Sequence, residues 1–190
     1  MTESKHISIS GQTDERLMEL SAAGNQKAFE MLFDRYNRQL IRFAYRYFHE
    51  IQQCEDIVQE VFMKVIERPE LFQKGKRFAP WIYTMTANAC KNAVRNQSNR
   101  KRILDHDIKH ETMTEMKAGL MHDNAVIRNR IREALGEMND REQQMFVLRF
   151  EHELTMSDIG EILSIPEGTV KSGIYYMLKK MALKLKDLKS

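Results

Sequence analysis

The fold of this chain is decided by the stretch TMSDIGEILSIPEGTVKSGIYYMLKKM, residues 155–181. Thr155 followed three residues later by Asp158 has the form of a capping box, which predicts a short helix over 156–163. Pro166 supplies the fixed φ of a first helical position, and Glu167 brings a negative charge to the positive end of the helix dipole. Two helices joined by so short a turn form a helix-turn-helix.

The second helix of this pair has two faces. Its apolar face is spaced to line a core and comprises Ile165, Val170, Ile174, Leu178 and Met181. Its other face comprises Gly168, Lys171, Ser172, Tyr175, Tyr176 and Lys179. In a helix-turn-helix the second helix enters the major groove of DNA, and flanking basic side chains hold phosphates. Residues 171–190 hold six lysines and one acid, so a local charge of +5 favours DNA binding over a helical hairpin that only packs.

Helical periodicity extends over most of the remaining chain. Apolar residues recur at steps of three and four over 28–48, which predicts a long helix with one buried face. Ahead of it, Thr13 is a capping residue and Gly24 a stop signal. Further helices are predicted from about Glu55 to no later than Pro69, from Pro80 into a basic cluster ending at Arg102, and over 126–135 and 141–150. No strand-like alternation occurs between them, so we predict an all-α protein of two small helical domains.

A polar stretch divides the chain into these domains. Residues 103–124 mix acids and bases with scattered methionines and have no sustained apolar stripe, which is typical of a flexible linker. We therefore predict a polar tail over 1–12, a first helical domain over 13–102, the linker over 103–124, and a second domain with the helix-turn-helix over 125–190.

Two features of the first domain indicate binding surfaces. The helix near Glu55 has a polar face opposite its apolar stripe, made by Asp56, Gln59, Glu60, Met63, Lys64 and Glu67. Such a face is either solvated or a docking site for a basic partner. The next segment mixes aromatic, basic and amide side chains, namely Phe72, Lys74, Lys76, Arg77, Phe78, Trp81, Tyr83, Asn88, Lys91, Asn92 and Arg95. Single-stranded DNA is bound by this mixture, because bases stack on aromatic faces while cations follow phosphates. The alternative is that Phe78 and Trp81 are core residues, which we expect in part for Trp81.

Composition excludes several classes of protein. The 190 residues are 42% apolar and 30% charged, with no apolar run near the roughly 18 residues of a membrane span and no signal peptide. We expect a soluble cytoplasmic protein without membrane insertion, and no control by a domain fused after Ser190. Cys54 and Cys90 lack metal-ligand spacing, so we expect reduced, buried or half-buried thiols, no metal site and no cofactor. The six histidines are scattered and no nucleophile-base spacing occurs, so we expect no enzyme and no catalytic residue.

Three motifs, taken in order and at their spacing, resemble a known family. They are CEDIVQEVFMKVIE, FAPWIYTMTANACKNAVRN and TMSDIGEILSIPEGTVKSGI, and they look like regions two and four of bacterial sigma factors of the extracytoplasmic-function (ECF) type. The resemblance covers almost the whole chain apart from the first dozen residues and the linker. It implies a subunit that binds core RNA polymerase, recognises a minus-35 element as duplex and holds a melted minus-ten element.

The same resemblance implies roles for individual residues and partners. Region two of the family binds the beta-prime clamp helices, and the residues that match its polymerase-binding face are Asp56, Gln59, Glu60 and Met63. The loop 74–78, with Asn88 and Asn92, matches the part that holds a flipped minus-ten base. Region four contacts the beta flap, and the residues that match its minus-35 reader are Gly168, Thr169, Lys171, Ser172, Tyr175 and Tyr176. An anti-sigma partner is also implied.

One departure from the family separates this chain from its relatives. Family members usually carry arginine after the Lys-Ser pair, whereas this chain has Gly173, followed by Tyr175 and Tyr176. Arginine is the stronger guanine reader, so the promoter sequence that this chain recognises cannot be inferred from the promoters of other family members. The alternative function is a duplex-binding transcription regulator that uses only the helix-turn-helix and is not a polymerase subunit.

Overall fold

The computed structural model describes residues 11–101, 136 and 138–185. These residues are helical without a strand, and they fall into two compact units, one within 1–107 and one within 108–190. The predicted all-α class is therefore confirmed. The predicted linker over 103–124, residues 1–10 of the tail predicted over 1–12, and the helix predicted over 126–135 lie outside the described residues.

Four α-helices are described in the N-terminal unit. They are α1 (Asp14–Ala22), α2 (Gln26–Phe48), α3 (Ile51–Glu67) and α4 (Phe78–Lys101), with a short 3-10 turn at Pro69–Leu71. The predicted cap is present, since the Thr13 side chain accepts a hydrogen bond from the Arg16 amide at 3.3 Å. Helix α2 packs against the other three and supplies the centre of the core with Leu32, Leu40 and Phe43.

Two predicted helix starts in this unit are wrong by a few residues. Helix α3 begins at Ile51 rather than near Glu55. The prediction missed this start because no side chain caps it, so the sequence carries no local signal there. Helix α4 begins at Phe78 rather than at Pro80. The Phe78 amide donates a hydrogen bond to the carboxylate of Glu15 in α1, and this distant acceptor supports a start two residues earlier.

Three α-helices are described in the C-terminal unit. They are α5 (Asp140–Phe146), which continues as a π-helical turn over Val147–Glu151, then α6 (Met156–Leu163) and α7 (Glu167–Leu185). The predicted capping box is present: the Asp158 amide donates to Thr155 Oγ1 at 3.1 Å, and the Thr155 amide donates to Asp158 Oδ2 at 2.9 Å. The helix-turn-helix over 156–185 is thus formed by α6 and α7, which pack against each other.

Two glycines explain how tightly this unit is packed. A Cβ on Gly160 would lie 2.8 Å from the carbonyl oxygen of Ile165. Only glycine therefore leaves room for the backbone of the following turn to pack against α6. A Cβ on Gly173 would lie 2.7 Å from the methyl group at the flexible end of the Met145 side chain, so glycine spares that side chain a shift where α7 meets α5. Gly173 is therefore a packing position, although glycine is a weak helix former.

The apolar face predicted for the second helix differs from the structure at two positions. Ile165 lies before α7 and is only half-buried. Val170, Ile174 and Met181 are buried as predicted, but Leu178 is 45% exposed and Met177 is buried in its place. Gly173 and Met177 are four residues apart and share the face of α7 that lies toward Met145 of α5. No helix within the described ranges is long and apolar enough to cross a membrane.

Candidate functional site

The outer face of α7 presents the predicted reading residues to solvent. Gly168, Thr169, Lys171, Ser172, Tyr175, Tyr176 and Lys179 are all exposed. Tyr175 and Tyr176 are 63% and 65% exposed, and their rings meet edge to face with centroids 5.4 Å apart. The pair therefore forms a fixed aromatic surface of the kind that suits flat bases, sugars and methyl groups.

Two of the polar groups on this face are engaged within the helix. Lys171 Nζ lies 2.6 Å from Glu167 Oε1, and Ser172 Oγ lies within hydrogen-bond distance of the Gly168 and Thr169 carbonyl oxygens, at 3.0 and 3.1 Å. An ion pair between exposed side chains is weak, so Lys171 can exchange its carboxylate for a phosphate. The tyrosines need no such exchange and are the largest groups available for direct contact.

The polar face of α3 is continuous in the structure. Asp56, Gln59, Glu60 and Met63 are exposed, and together with Lys64 and Glu67 they line one shallow concave patch, which we call the α3 patch. Met63 is 50% exposed and supplies an apolar centre among the carboxylates. Such a patch suits a basic partner that also has an apolar contact point.

The predicted single-strand surface is formed only in part. Residues 73–77, which we call the 73–77 loop, are exposed, and the loop carries Lys74, Lys76 and Arg77 around Gly75 at φ +83°. Phe78 and Tyr83 are fully buried, so the prediction that they offer aromatic faces to bases is wrong. Their rings instead pack against α2, with Phe78 5.2 Å from Tyr36 and Tyr83 5.3 Å from Phe43.

Two aromatic side chains remain partly accessible beside this loop. Phe72 and Trp81 are half-buried, and their ring centroids lie 5.1 Å apart. Both also contact the buried ring of Phe78, at 6.0 and 5.6 Å. These three rings form an aromatic cluster that supports the base of the 73–77 loop, and this agrees with the expectation that Trp81 is in part a core residue.

Polar residues of α4 continue from the loop along one side of the helix. Asn88, Asn92 and Arg95 are exposed at steps of four and three, so they share a face, and Arg95 Nη2 lies 3.3 Å from Asn92 Oδ1. Lys91 is half-buried, and burial lowers the pKa of its ammonium below the ordinary value. The amides and cations thus lie on neighbouring turns of α4 beyond the 73–77 loop.

Sequence patterns did not identify the residues that hold the loop in place. Glu15 Oε1 accepts a hydrogen bond from the Phe78 amide at 3.0 Å, across 63 positions of sequence. Its neighbour Asp14 accepts from Arg35 Nη1 at 2.5 Å and from the Tyr36 hydroxyl. Both acids also fit the ordinary role of negative charges in a first helical turn, so no local signal distinguishes their tertiary contacts.

The two cysteines lie in the core of the N-terminal unit. Both are buried and free, as predicted. Burial, with a smaller effect of the Glu50 and Glu55 charges, raises the pKa of the Cys54 thiol to about 12. Burial, and then the neighbouring Cys54, raises the pKa of the Cys90 thiol to about 12. Neither thiol is therefore suited to nucleophilic chemistry.

Comparison with known families assigns both units. The family described as Sigma-70 region 2 matches residues 32–100, and the family described as Sigma-70, region 4 matches residues 134–182. The first match contains α3, the 73–77 loop and nearly all of α4. The second contains nearly all of the helix-turn-helix, and the two together cover more than half of the chain.

Relatives resemble the chain over nearly its whole length. The ECF RNA polymerase sigma factor SigW of Bacillus subtilis is 28% identical over 174 residues, which is 87% of this chain and 92% of the relative. The ECF RNA polymerase sigma-E factor of Haemophilus influenzae is 27% identical over 184 residues, which is 93% of this chain and 97% of the relative.

Solved structures share the fold. The sigma factor RpoE of Bartonella quintana, in complex with the anti-sigma factor NepR, has a TM-score of 0.62 and 19% identity, covering 84% of this chain and 98% of that one. CnrH, in complex with the cytosolic domain of CnrY, has a TM-score of 0.57 and 19% identity, covering 94% of this chain and all of that one.

Proposed function

Because this chain belongs to the sigma-70 family and is a sigma factor of the ECF type, we propose that its two units divide polymerase binding, strand capture and duplex recognition between named surfaces. The observation that carries the proposal is the clustering of Asp56, Gln59, Glu60 and Met63 on the exposed α3 patch. A helix-turn-helix regulator that acts without polymerase has no use for such a patch.

The α3 patch is proposed as the contact with the beta-prime clamp helices of core RNA polymerase. Its carboxylates favour a basic partner, and Met63 at the centre provides an apolar contact that is desolvated on binding. Truncation of a buried polar anchor at an interface costs about 2 kcal/mol or more, which is near thirtyfold in affinity.

The 73–77 loop and the exposed face of α4 are proposed as the surface for melted minus-ten DNA. Lys74, Lys76 and Arg77 stand at the loop, while Asn88 and Asn92 offer donors and acceptors for the edge of an unstacked base. Lys91 and Arg95 extend the positive charge along the same helix. Phe78 belongs to the support of this surface because its ring is buried.

The outer face of α7 is proposed as the reader of minus-35 duplex DNA. Thr169, Lys171 and Ser172 lie in its first two turns, where a recognition helix meets base edges, and Tyr175, Tyr176 and Lys179 follow along the exposed face. Each unit binds DNA modestly by itself. Both gain from being held on one polymerase, because the second contact then forms at a high effective concentration.

The remaining features of the proposal follow from the relatives. The chain acts in the cytoplasm as a binding subunit and catalyses no reaction. One structure that shares its fold holds a sigma factor with the anti-sigma factor NepR, and another holds CnrH with the cytosolic domain of CnrY, which supports an anti-sigma partner here. We further propose that the C-terminal unit contacts the beta flap of the polymerase, as its match to the region 4 family implies.

The proposal is tested by mixing the full chain with core RNA polymerase, separating the complex by size, and probing genomic fragments with permanganate for melted thymines. The wild-type chain should co-elute with polymerase and produce localised melting. Asp56→Ala combined with Gln59→Ala should abolish both results and leave retention of isolated duplex unchanged.

A matched control for this experiment is Glu55→Ala. Glu55 is an exposed carboxylate on the same helix, but it lies outside the α3 patch, so its loss should leave co-elution intact. A wild-type chain that retards duplex DNA while staying apart from polymerase would refute the proposal and favour the regulator.

A further inference from the structure

The start of helix α4 is held by a residue from the far end of the N-terminal unit. The carboxylate of Glu15 accepts the amide hydrogen of Phe78 at 3.0 Å, and Phe78 is the first residue of α4. The first amides of a helix have no acceptor within the helix, so an outside carboxylate both satisfies the donor and fixes where the helix begins. The 73–77 loop ends one residue before this bond.

Glu15 is itself held rigidly in α1. The neighbouring Asp14 carboxylate is bound by Arg35 and Tyr36 of α2, and Arg35 also donates to the Gln12 carbonyl oxygen at 3.1 Å. Tyr36 contacts Phe78 through its ring as well. Helix α1 is therefore bound to α2, and the hydrogen bond from the Phe78 amide to Glu15 places the start of α4 relative to both helices.

The backbone of the loop forms a tight turn between two anchored ends. One backbone bond, from the Lys76 amide to the Gln73 carbonyl oxygen at 3.1 Å, closes a turn around Gly75. All five residues of the loop are exposed, whereas both flanking residues belong to the aromatic cluster. The geometry of the loop is thus set at its two ends, by the ring of Phe72 and by the bonded amide of Phe78.

The charge state of Glu15 agrees with this role. Burial, the largest single influence, raises the pKa of the carboxyl group. The hydrogen bonds from the Phe78 amide, from the Glu15 amide and from Thr13, with the positive charge of Arg77, outweigh burial and lower the pKa below the ordinary value. Glu15 is ionised at neutral pH and accepts the Phe78 hydrogen as a carboxylate.

We propose that Glu15 is a positioning residue for promoter opening, which acts by fixing the start of α4 so that the 73–77 loop is shaped to receive an unstacked base. This inference rests on the proposed function, because the loop is taken as the minus-ten surface. Glu15 touches no DNA in this scheme. Its contribution appears only when the melted strand is captured, and it is absent from polymerase binding and from minus-35 recognition.

The test uses holoenzyme assembled from core polymerase and the full chain, on a promoter fragment recovered by the permanganate assay. Glu15→Ala should lower the fraction of open complexes by about tenfold, since a hydrogen bond to a charged group is lost. Glu15→Gln keeps an oxygen acceptor for the Phe78 amide and should restore most of the opening. Co-elution with polymerase and retention of minus-35 duplex should match the wild type in both variants.

Glu19→Ala is the matched control on the same helix. Glu19 makes an ion pair with Arg16 at 2.7 Å, both side chains are largely exposed, and it has no bond to α4. This variant should open the promoter as the wild type does.

Two results would overturn the inference and leave the proposed function standing. The first is wild-type opening by Glu15→Ala. The second is a loss of polymerase co-elution in parallel with opening, which would mean that Glu15 only stabilises the fold. Absence of melting with the wild-type chain would instead refute the proposed function.

Discussion

Gly160→Ala should destabilise the helix-turn-helix, although alanine is the better helix former. The new methyl group would lie 2.8 Å from the Ile165 carbonyl oxygen, and ordinary contact begins at 3.4 Å, so the turn must retreat by about 0.6 Å. That oxygen belongs to rigid backbone, and the Ile165 amide also donates to the Gly160 carbonyl oxygen at 2.9 Å. Overpacking costs about 1–3 kcal/mol and a weakened hydrogen bond about 1 kcal/mol, against a gain of about 1 kcal/mol in helix propensity. The net loss is about 1–3 kcal/mol.

Hydrogen exchange of peptides from 156–181 measures this loss in the unit concerned, which a whole-chain melting curve of two units does not. Amides of α6 and α7 should exchange about 5- to 150-fold faster in Gly160→Ala. Gly168→Ala is the matched control, because nothing lies within 4 Å of its added Cβ and its φ is not positive, so exchange should be unchanged or slower. Exchange in Gly160→Ala that is no faster than in Gly168→Ala would refute the steric argument.

Three further predictions concern the thiols, one carboxylate and the tyrosine pair. Cys54 and Cys90 should resist alkylation at about pH 8 while the chain is folded and react fully in denaturant, as mass spectrometry would record; rapid labelling of the folded chain would contradict their burial. The pKa of Glu15 is lowered on folding, so its stabilising contribution is complete above the ordinary value of 4.5 and is lost as pH falls through the lower folded value. The stability difference between wild type and Glu15→Gln, measured by urea unfolding, should therefore shrink below that pH, and a constant difference would contradict the assignment. Replacing thymine by deoxyuridine in the minus-35 duplex should weaken wild-type binding about fourfold per contacted methyl group, and it should have no effect on a variant with Tyr175→Ala and Tyr176→Ala. Equal sensitivity in both proteins would exclude methyl contacts by these rings.

Features of the fold that depend on residues three or four apart could be predicted from the sequence. The Thr155 and Asp158 capping box and the bounds of α6 are confirmed because both hydrogen bonds of the box span three residues. The exposed α3 patch could likewise be predicted from the helical spacing of its residues. The start of α3 was not, because Glu50 makes no side-chain cap and the sequence there has nothing to mark it.

The burial of particular apolar residues could not be assigned in this way. Leu178 and Met177 are adjacent and both apolar, so the pattern permits α7 to turn either of them toward the core. In the structure Gly173 lies against Met145 of α5, and Met177, one turn further along the same face, is buried. Phe78 presented the same difficulty, since an aromatic residue beside lysines fits a stacking surface as well as it fits a core.

The sequence by itself determined the all-α class, the helix-turn-helix and the segregation of charge, because capping, periodicity and local charge act between near neighbours in the chain. Only the tertiary structure decided that Glu15 holds the start of α4, that Phe78 lies beneath the loop rather than on it, and that Gly173 lies against α5. Those outcomes depend on which distant groups meet when the helices pack, and a local pattern carries no information about a bond that spans 63 residues.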